Sequence, residues 1–247
     1  MLKNWKGEPT YLKSIGNVYP IRVRDYDEFM KLVSILTLNY NHFDVDHMKK
    51  TVENEDLKLL DLLGVISISD PKSNVIDNLI RLFKLVMRID DVKLISSQPS
   101  YQLAFKVGSN VIHSKNYDAL RELIMQQNLI FEPPVFKSKI KQEWAEMVLR
   151  ARAKNGIDMD IEEFLTTIQV ASGKHPSELL DYTVYQIRSE FARVNKIKSY
   201  EANLAMIGHA KEISKLHFAE KTNISSNPYD GLFVSGDKLS NIKESIK

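Results

Sequence analysis

The chain has 247 residues and no cysteine, with 34 basic and 32 acidic side chains and a formal net charge of +2. The lack of cysteine excludes thiol nucleophiles, iron–sulfur clusters and cysteine-rich zinc sites. The hydrophobic content of 43% is ordinary for a soluble globular protein, and the near balance of charges leaves no whole-chain field that would attract nucleic acid.

Residues 1–130 are predicted to form an α+β domain that begins with a short β-element. Asp25 and Glu28 then form a capping-box pattern at the start of a helix. Leucines at three-residue steps predict a second helix, for which Gly64 is the expected C-terminal stop. Pro71 suits the first position of a third helix, which carries one continuous apolar stripe.

A small antiparallel meander is predicted after these helices. Three β-like runs at residues 92–96, 101–107 and 111–113 are separated by turn residues, among them glycine, proline, serine and asparagine. Asn116 is expected to cap the helix that follows the last strand. The fold class is therefore predicted to be α+β and helix-rich.

Two adjacent prolines, Pro133 and Pro134, mark the predicted boundary between two parts of the chain. Because such a pair forces extended backbone on the residues before it, residues 131–139 are interpreted as a linker. Residues 140–218 are predicted to form a helical bundle. Residues 219–247 contain few large apolar side chains and are predicted to be a mostly disordered tail.

Four helices are predicted in the second part. The first carries an apolar stripe that includes Trp144, and the second begins with a capping box of Asp160 and Glu163. A longer helix starts at Pro176, with the four-three-four-three spacing of a bundle helix or a short coiled coil. Its apolar residues are Leu180, Val184, Ile187, Phe191 and Val194. A fourth helix is expected to begin before Leu204.

The possible metal ligands do not form a known motif. His42 and His47 are five residues apart, whereas two ligands on one helix face need a spacing of four, and the nearby Asp46 is interpreted as a helix cap. Four carboxylates within residues 158–163 lack the glycine of a calcium loop and are assigned to helix capping. No serine-nucleophile or phosphate-loop motif occurs. We therefore expect no catalytic residue, no metal and no cofactor.

Two regions favour a protein partner. Tyr182 and Tyr185 flank the heptad-like seam, and aromatic side chains are enriched in interfaces, although the same seam could form an internal core. Residues 228–233 form an island in the tail that resembles a docking segment, although it could also pack on its own helices. The candidate partner-binding residues are Trp144, Tyr182, Tyr185, Pro228, Tyr229, Leu232 and Phe233.

Nucleic-acid binding is an alternative use of residues 137–154, because this helix has basic residues at both ends. Its lysines would contact phosphates and Trp144 would stack on bases. Against this interpretation, Trp144 lies on the apolar stripe and is expected in a core or an interface. Basic residues in a last helical turn are also favoured by the helix dipole alone.

Several segments resemble proteins from the structural gene clusters of tailed phages of Gram-positive bacteria, in particular the tail assembly chaperones. The similar segments are residues 19–23, 116–128, 181–187 and 191–193, together with Tyr200. The resemblance implies a non-enzymatic protein that binds a long, helical tape-measure protein and keeps it soluble while tail-tube subunits polymerise. The family commonly has an α+β part and a helical extension made by translational frameshifting. This sequence departs from that pattern by carrying both parts in one polypeptide.

The resemblance makes a tail assembly chaperone-like protein in the host bacterial cytoplasm the leading hypothesis. The alternative is a structural protein of the finished virion, at the neck or baseplate. A protein partner is expected in either case, and self-association is left open. Membrane insertion is not expected, because no uncharged stretch is longer than Leu32 to Phe43, which is shorter than the ~20 apolar residues that span a bilayer.

Overall fold

The computed structural model of the protein describes residues 2–95, 101–136, 138–154, 159–207 and 218–230. Within these residues it contains ten α-helices, one two-stranded hairpin and one three-stranded antiparallel sheet. Both sheets lie in the N-terminal half and only helices follow. The predicted α+β, helix-rich class is therefore confirmed.

The strands have three or four residues each, and the α-helices have between 5 and 22. The strands are β1 (Thr10–Leu12), β2 (Gly16–Val18), β3 (Val92–Ile95), β4 (Ala104–Val107) and β5 (Asn110–His113). The first helices are α1 (Leu2–Lys6), α2 (Tyr26–Thr37), α3 (Val45–Val52), α4 (Leu59–Ser69), α5 (Val75–Met87) and α6 (Ser114–Gln127). The later helices are α7 (Lys139–Lys154), α8 (Ile161–Ser172), α9 (Pro176–Leu180) and α10 (Val184–Ala205).

The predicted meander is present as β3, β4 and β5 in that spatial order. Phe105 in the central strand lies opposite Leu94 on one side and Ile112 on the other. Phe105, Val107 and Ile112 are fully buried, since alternate side chains of a strand face one side of the sheet. This face closes one side of the main core.

The main core lies between this sheet, the N-terminal hairpin and helices α2, α4, α5 and α6. Phe83 is at its centre, with its ring centroid 5.2 Å from that of Phe105 and 6.4 Å from that of Tyr117, both edge to face. Such pairs add about 0.5–1.5 kcal/mol beyond area burial. The apolar stripe predicted for α5 therefore faces the core.

The predicted capping box at the start of α2 is not formed. Asp25 occupies the N-cap position, but its side chain makes no capping hydrogen bond. Glu28 instead accepts a hydrogen bond from Arg81 Nε at 2.9 Å. A partner on another helix has therefore replaced the local one.

Two other predicted caps are wrong by two or three residues. Helix α6 is capped by His113, whose Nδ1 accepts from the Lys115 amide at 3.2 Å, whereas Asn116 lies inside the helix and accepts from the His113 amide at 2.8 Å. Helix α3 is capped by Asp44, which accepts from the His47 amide at 3.1 Å. Asp46 lies in the first turn of α3.

Gly64 does not end a helix, contrary to the prediction. The predicted second helix is divided into α3 and α4, and Gly64 lies in the middle of α4. A Cβ atom at Gly64 would lie 1.9 Å from the Tyr101 carbonyl oxygen. The glycine is therefore explained by the close passage of another chain segment.

The long helix predicted from Pro176 is also divided. Helix α9 ends at Leu180 and α10 begins at Val184, because Thr183 caps α10 by accepting from the Gln186 amide at 3.2 Å. Leu204 belongs to α10. The rest of the predicted fourth helix lies largely in residues 208–217, outside the described residues.

A second, smaller core joins the helical part to the N-terminal part. Val23 packs there with buried residues of α8, α9 and α10, namely Ile168, Leu179 and Ile187. The Val23 amide donates to the Tyr182 carbonyl oxygen at 2.8 Å. Two arginines beside it, Arg22 and Arg24, pair with Asp181 at 3.2 and 2.5 Å.

Residues 218–220 lie against the middle of α10. Arg193 Nη1 donates to the Phe218 carbonyl oxygen at 2.5 Å, and Lys196 pairs with Glu220 at 2.9 Å. Residues 231–247 lie outside the described residues, so the mostly disordered tail stays a prediction. In the described part of the chain, no helix has the length and apolar character to cross a membrane.

Candidate protein-binding surface

Helix α8 begins where the sequence predicts. The Glu163 amide donates to Asp160 Oδ1 at 2.9 Å, and the Asp160 amide donates to Glu163 Oε2 at 3.0 Å. This capping box is confirmed, and it satisfies two backbone donors that would otherwise lack partners. It accounts for two of the four carboxylates assigned to capping, whereas Glu162 lies in the first turn and Asp158 lies outside the described residues.

One side of α8 packs on α10 through aromatic and aliphatic contacts. The rings of Phe164 and Phe191 meet edge to face with centroids 4.5 Å apart, and Ile168 beside them is fully buried. These contacts position α8 and α10 as one unit. Residues on another side of α8 form the surface described next.

That surface is a groove between α8 and α10 with a volume of about 550 Å³. Val170, which is 87% exposed, and Val194 contribute apolar walls. The other lining residues are Thr166, Thr167, Ala171 and Lys198. We call these six residues the α8–α10 groove. Its chemistry is methyl groups, two hydroxyls and one ammonium group, which suits an amphipathic helix better than a reacting substrate.

Exposed apolar residues continue beyond the groove along α10. Ile197 is 37% exposed, Leu204 is 47% exposed, and Ile207, just past the end of the helix, is 62% exposed. A surface that carries several large apolar side chains on one helix is typical of a binding region rather than of scattered exposure. The groove therefore forms part of a longer apolar surface.

An ionic cluster lies at the other end of this unit. Lys174 Nζ pairs with Glu190 at 2.6 Å and lies 4.9 Å from the centroid of the Tyr182 ring. Burial lowers the pKa of Lys174, but hydrogen bonds to Glu190 and Tyr182 outweigh it and raise the pKa above its ordinary value. The ammonium group is therefore held in its charged form as a structural contact.

The two candidate tyrosines lie in contacts within the chain. Tyr182 packs at the edge of the second core, and its carbonyl oxygen accepts from Val23. Tyr185 lines a cavity of about 310 Å³ together with residues 221–225 of the tail. Both side chains are half-buried. Their role in partner binding stays a prediction.

The other candidates are spread over separate segments. Trp144 lies on α7 and is 47% exposed, so the expectation of a core position is wrong and an interface position stays a prediction. Pro228 is exposed and Tyr229 is half-buried near the end of the described tail. Leu232 and Phe233 lie outside the described residues. The candidates thus occupy several elements rather than one.

A second cavity, of about 530 Å³, lies at the end of α6 and contains a buried cation. Arg121 Nε donates to the Leu36 carbonyl oxygen at 2.7 Å, and another nitrogen of this guanidinium pairs with Glu132. Ser225 and Asn227 of the tail line the same cavity. Since Arg121 already links α2 to the segment after α6, its contacts are those of a structural residue.

The described residues contain no group of three or more histidine, aspartate or glutamate side chains that could hold a metal ion. Asp44, from the most ligand-dense segment of the sequence, is engaged as the α3 cap. The cavity at the end of α6 is lined by Ser225 together with Glu122 and Glu132, and the α8–α10 groove by two threonines and Lys198.

Comparison with known proteins gives one partial match. A family model described as the YomV second domain matches residues 151–223. The match indicates a phage protein. The matched range contains α8, α9, α10 and the whole α8–α10 groove. No curated protein and no solved structure matches the chain.

The sequence does not predict the groove, because only Val194 of its six residues belongs to a predicted apolar stripe. Val170 and Ala171 follow Ile168 on the face of α8 that turns away from the second core. The signal in the sequence is the pair Thr166 and Thr167, one turn before Val170 and Ala171. These threonines make this face of α8 less polar than a fully solvated helix face. This signal indicates a groove only when α10 is known to lie alongside α8.

Proposed function

We propose that this chain is a non-enzymatic assembly protein of a tailed phage that binds a helical segment of a protein partner in the α8–α10 groove. The observation that carries the proposal is the apolar groove itself, in which Val170 is 87% exposed. The phage-type family match covers the same helices, which supports assigning the groove to the function of that domain. The partner is a long helical tail protein of the tape-measure type.

The proposed role is that of a chaperone. An amphipathic helix that waits for its assembly partners exposes an apolar face and is prone to aggregate. Covering that face in a groove of methyl groups removes it from water, at about 25 cal/mol for each Å² of apolar area. Release then requires only that the polymerising tube offers a competing surface.

The test is co-expression with the tape-measure-type protein of the same phage genome. We expect that protein to become soluble and to copurify with the wild-type chain. Val170→Asp should abolish copurification, because it places a charge in the groove at a position too exposed to affect folding. Leu180→Asp is the matched control, since Leu180 is 42% exposed on α9 and lies outside the groove.

Two results would contradict the proposal. One is an unchanged soluble fraction of the tape-measure-type protein with and without this chain. The other is equal loss of binding in Val170→Asp and Leu180→Asp. Mass spectrometry of purified particles tests the alternative, because a structural protein of the virion would be found there at stoichiometric amount and a chaperone would not.

A further inference from the structure

Helix α7 exposes large apolar residues on one side, whereas its other apolar residues, Val148 and Leu149, are half-buried. Its buried residue, among the positions whose exposure is described, is Ala145 at 1% exposure, and the neighbouring Gln142 is half-buried and accepts from the Phe136 amide at 3.0 Å. On the opposite side, Ile140, Trp144 and Met147 are 79%, 47% and 58% exposed. An amphipathic helix normally buries its apolar residues, and the exposed side chains of Ile140 and Met147 leave this side open to a covering surface.

The spacing of the exposed residues is that of a coiled-coil seam. Ile140, Trp144, Met147 and Ala151 follow each other at four, three and four residues, which places them at successive d, a, d and a positions. We propose that α7 pairs in antiparallel orientation with α7 of a second copy of this chain. This surface is separate from the α8–α10 groove and does not depend on the proposed function.

The charges beside the seam argue for a second copy and for this orientation. In the same heptad, Glu143 and Arg150 both occupy g positions. In an antiparallel pair the g position of one helix faces a g position of the other, so Glu143 meets Arg150 of the second copy twice. A parallel pair would place Glu143 opposite the uncharged Val148 and lose both contacts.

The seam itself is also complementary in this arrangement. Each Trp144 faces Met147 of the second copy, and each Ile140 faces Ala151. Thioether–aromatic contacts are favourable, and the large and small residues at the two ends of the seam fill one layer together. Within one helix, Glu143 and Glu146 already pair with Lys139 and Arg150 at 3.9 and 3.4 Å, so the flank is ordered before association.

The absence of cysteine in the chain allows a direct test of orientation by disulfide cross-linking. Ile140→Cys and Ala151→Cys are made separately in the full chain, mixed and mildly oxidised. We expect the mixture to give a cross-linked dimer between the two variants at least about fivefold above either variant alone, because a disulfide requires Cα atoms within about 7 Å. Cross-linking of Ile140→Cys with itself at the same yield would overturn the antiparallel pair.

Charge exchange tests the flanking contacts independently. Sedimentation equilibrium of the wild type should show a concentration-dependent dimer, weakened about tenfold by Glu143→Arg or by Arg150→Glu. The double variant should recover the wild-type dissociation constant within about threefold, although both intrahelical ion pairs stay broken. Lys141→Glu, which faces the uncharged Val148 across the pair, serves as the control that should leave the constant unchanged.

Three outcomes would overturn the inference. They are a monomer at every concentration, a dimer that the single charge variants leave intact, and a double variant no better than the single ones. Circular dichroism of each variant establishes that α7 is still folded. A dimer lost on Val170→Asp instead would place the contact in the α8–α10 groove and equally refute pairing through α7.

Discussion

The carboxyl group of Asp61 is held in the interior of the protein with incomplete compensation. Asp61 is 3% exposed, and its Oδ2 accepts a hydrogen bond from the Lys58 amide at 3.0 Å. Oδ1 has no hydrogen-bond partner of ordinary geometry among the described residues. Burial raises the pKa of Asp61, and the Lys58 amide and the Ser114 hydroxyl offset this only in part. The free-energy cost of burying this carboxylate therefore depends on pH.

Replacing this group by a neutral isostere should flatten the pH dependence of stability. Because the pKa of Asp61 is raised in the folded state, its favourable contribution is complete below the unfolded pKa of about 3.9 and is lost as pH rises through the folded pKa. Asp61→Asn should therefore gain in free energy of unfolding relative to wild type as pH increases from about 4 to 7. Urea unfolding at several pH values measures this difference.

The exposed Asp77, in the first turn of α5, supplies the control. Asp77→Asn makes the same chemical change at an exposed position, so its profile shows how much of the difference comes from any change of carboxylate to amide. A constant difference between Asp61→Asn and wild type across the pH range would show that the carboxyl group of Asp61 does not titrate differently on folding. The prediction would then be wrong.

Helix boundaries show which elements local chemistry decides. The start of α8 is set by Asp160 and Glu163, which are close in sequence, and the prediction there is confirmed. Helix α4 runs past Gly64, and a glycine stands there because Tyr101 of a distant segment crosses the helix at this point. A glycine in a sequence indicates either a helix end or a close approach, and only the folded chain distinguishes them.

Gly64→Ala should therefore destabilise the protein, although alanine is the better helix former. Helix propensity alone would predict a gain of about 1 kcal/mol. Instead, the new Cβ atom would lie 1.9 Å from the Tyr101 carbonyl oxygen, and overpacking of this kind costs about 1–3 kcal/mol. Thermal unfolding followed by circular dichroism gives the sign directly.

Gly173, at the end of α8, offers a comparison without the steric contact. It has a φ of +70°, and a Cβ atom there would meet nothing within 4 Å. Gly173→Ala should cost only the left-handed backbone penalty of about 1–2 kcal/mol. An unchanged or raised melting temperature in Gly64→Ala would refute the close approach of Tyr101.

The difference between local and long-range contacts also explains how much of the fold could be predicted from the sequence. The fold class, the meander and the helical second part follow from periodicity and turn residues, which are local signals. The groove could not be predicted, because Val170 and Val194 come together only when α8 packs on α10. Similarly, the stripe on α7 predicts an amphipathic helix but not that Trp144 faces solvent.

On the scale of the whole molecule, two segments of the first part contact the helical part. One is α1, where the Trp5 carbonyl oxygen accepts from Gln186 Nε2 at 2.8 Å, and the other is residues 21–24. Val23 is 8% exposed within the second core, whereas the side chains of Arg22, Arg24 and Asp181 beside it are 38%, 48% and 54% exposed. Exposed ion pairs contribute about 0–1 kcal/mol, far less than buried apolar groups. The stability of this junction, the contact between residues 21–24 and the helical part, should therefore depend on Val23 rather than on the two ion pairs.

Val23→Ala should lower the free energy of unfolding by about 2 kcal/mol, through lost burial and the cavity left behind. Asp181→Ala should lower it by less than about 1 kcal/mol. Urea denaturation of both variants under the same conditions compares them. A larger loss in Asp181→Ala than in Val23→Ala would show that the ionic contacts hold the two parts together.

The junction also sets an order of events during synthesis on the ribosome. Arg22 and its partner Asp181 are 159 positions apart, and at about 5–20 residues per second translation takes roughly 8–32 s to cover that separation. Meanwhile the Ile21 amide can already donate to Asn128 Oδ1, the 2.8 Å bond of the finished fold. We therefore expect the first part of the nascent chain to fold first and to present Val23 to the helices that are synthesised later.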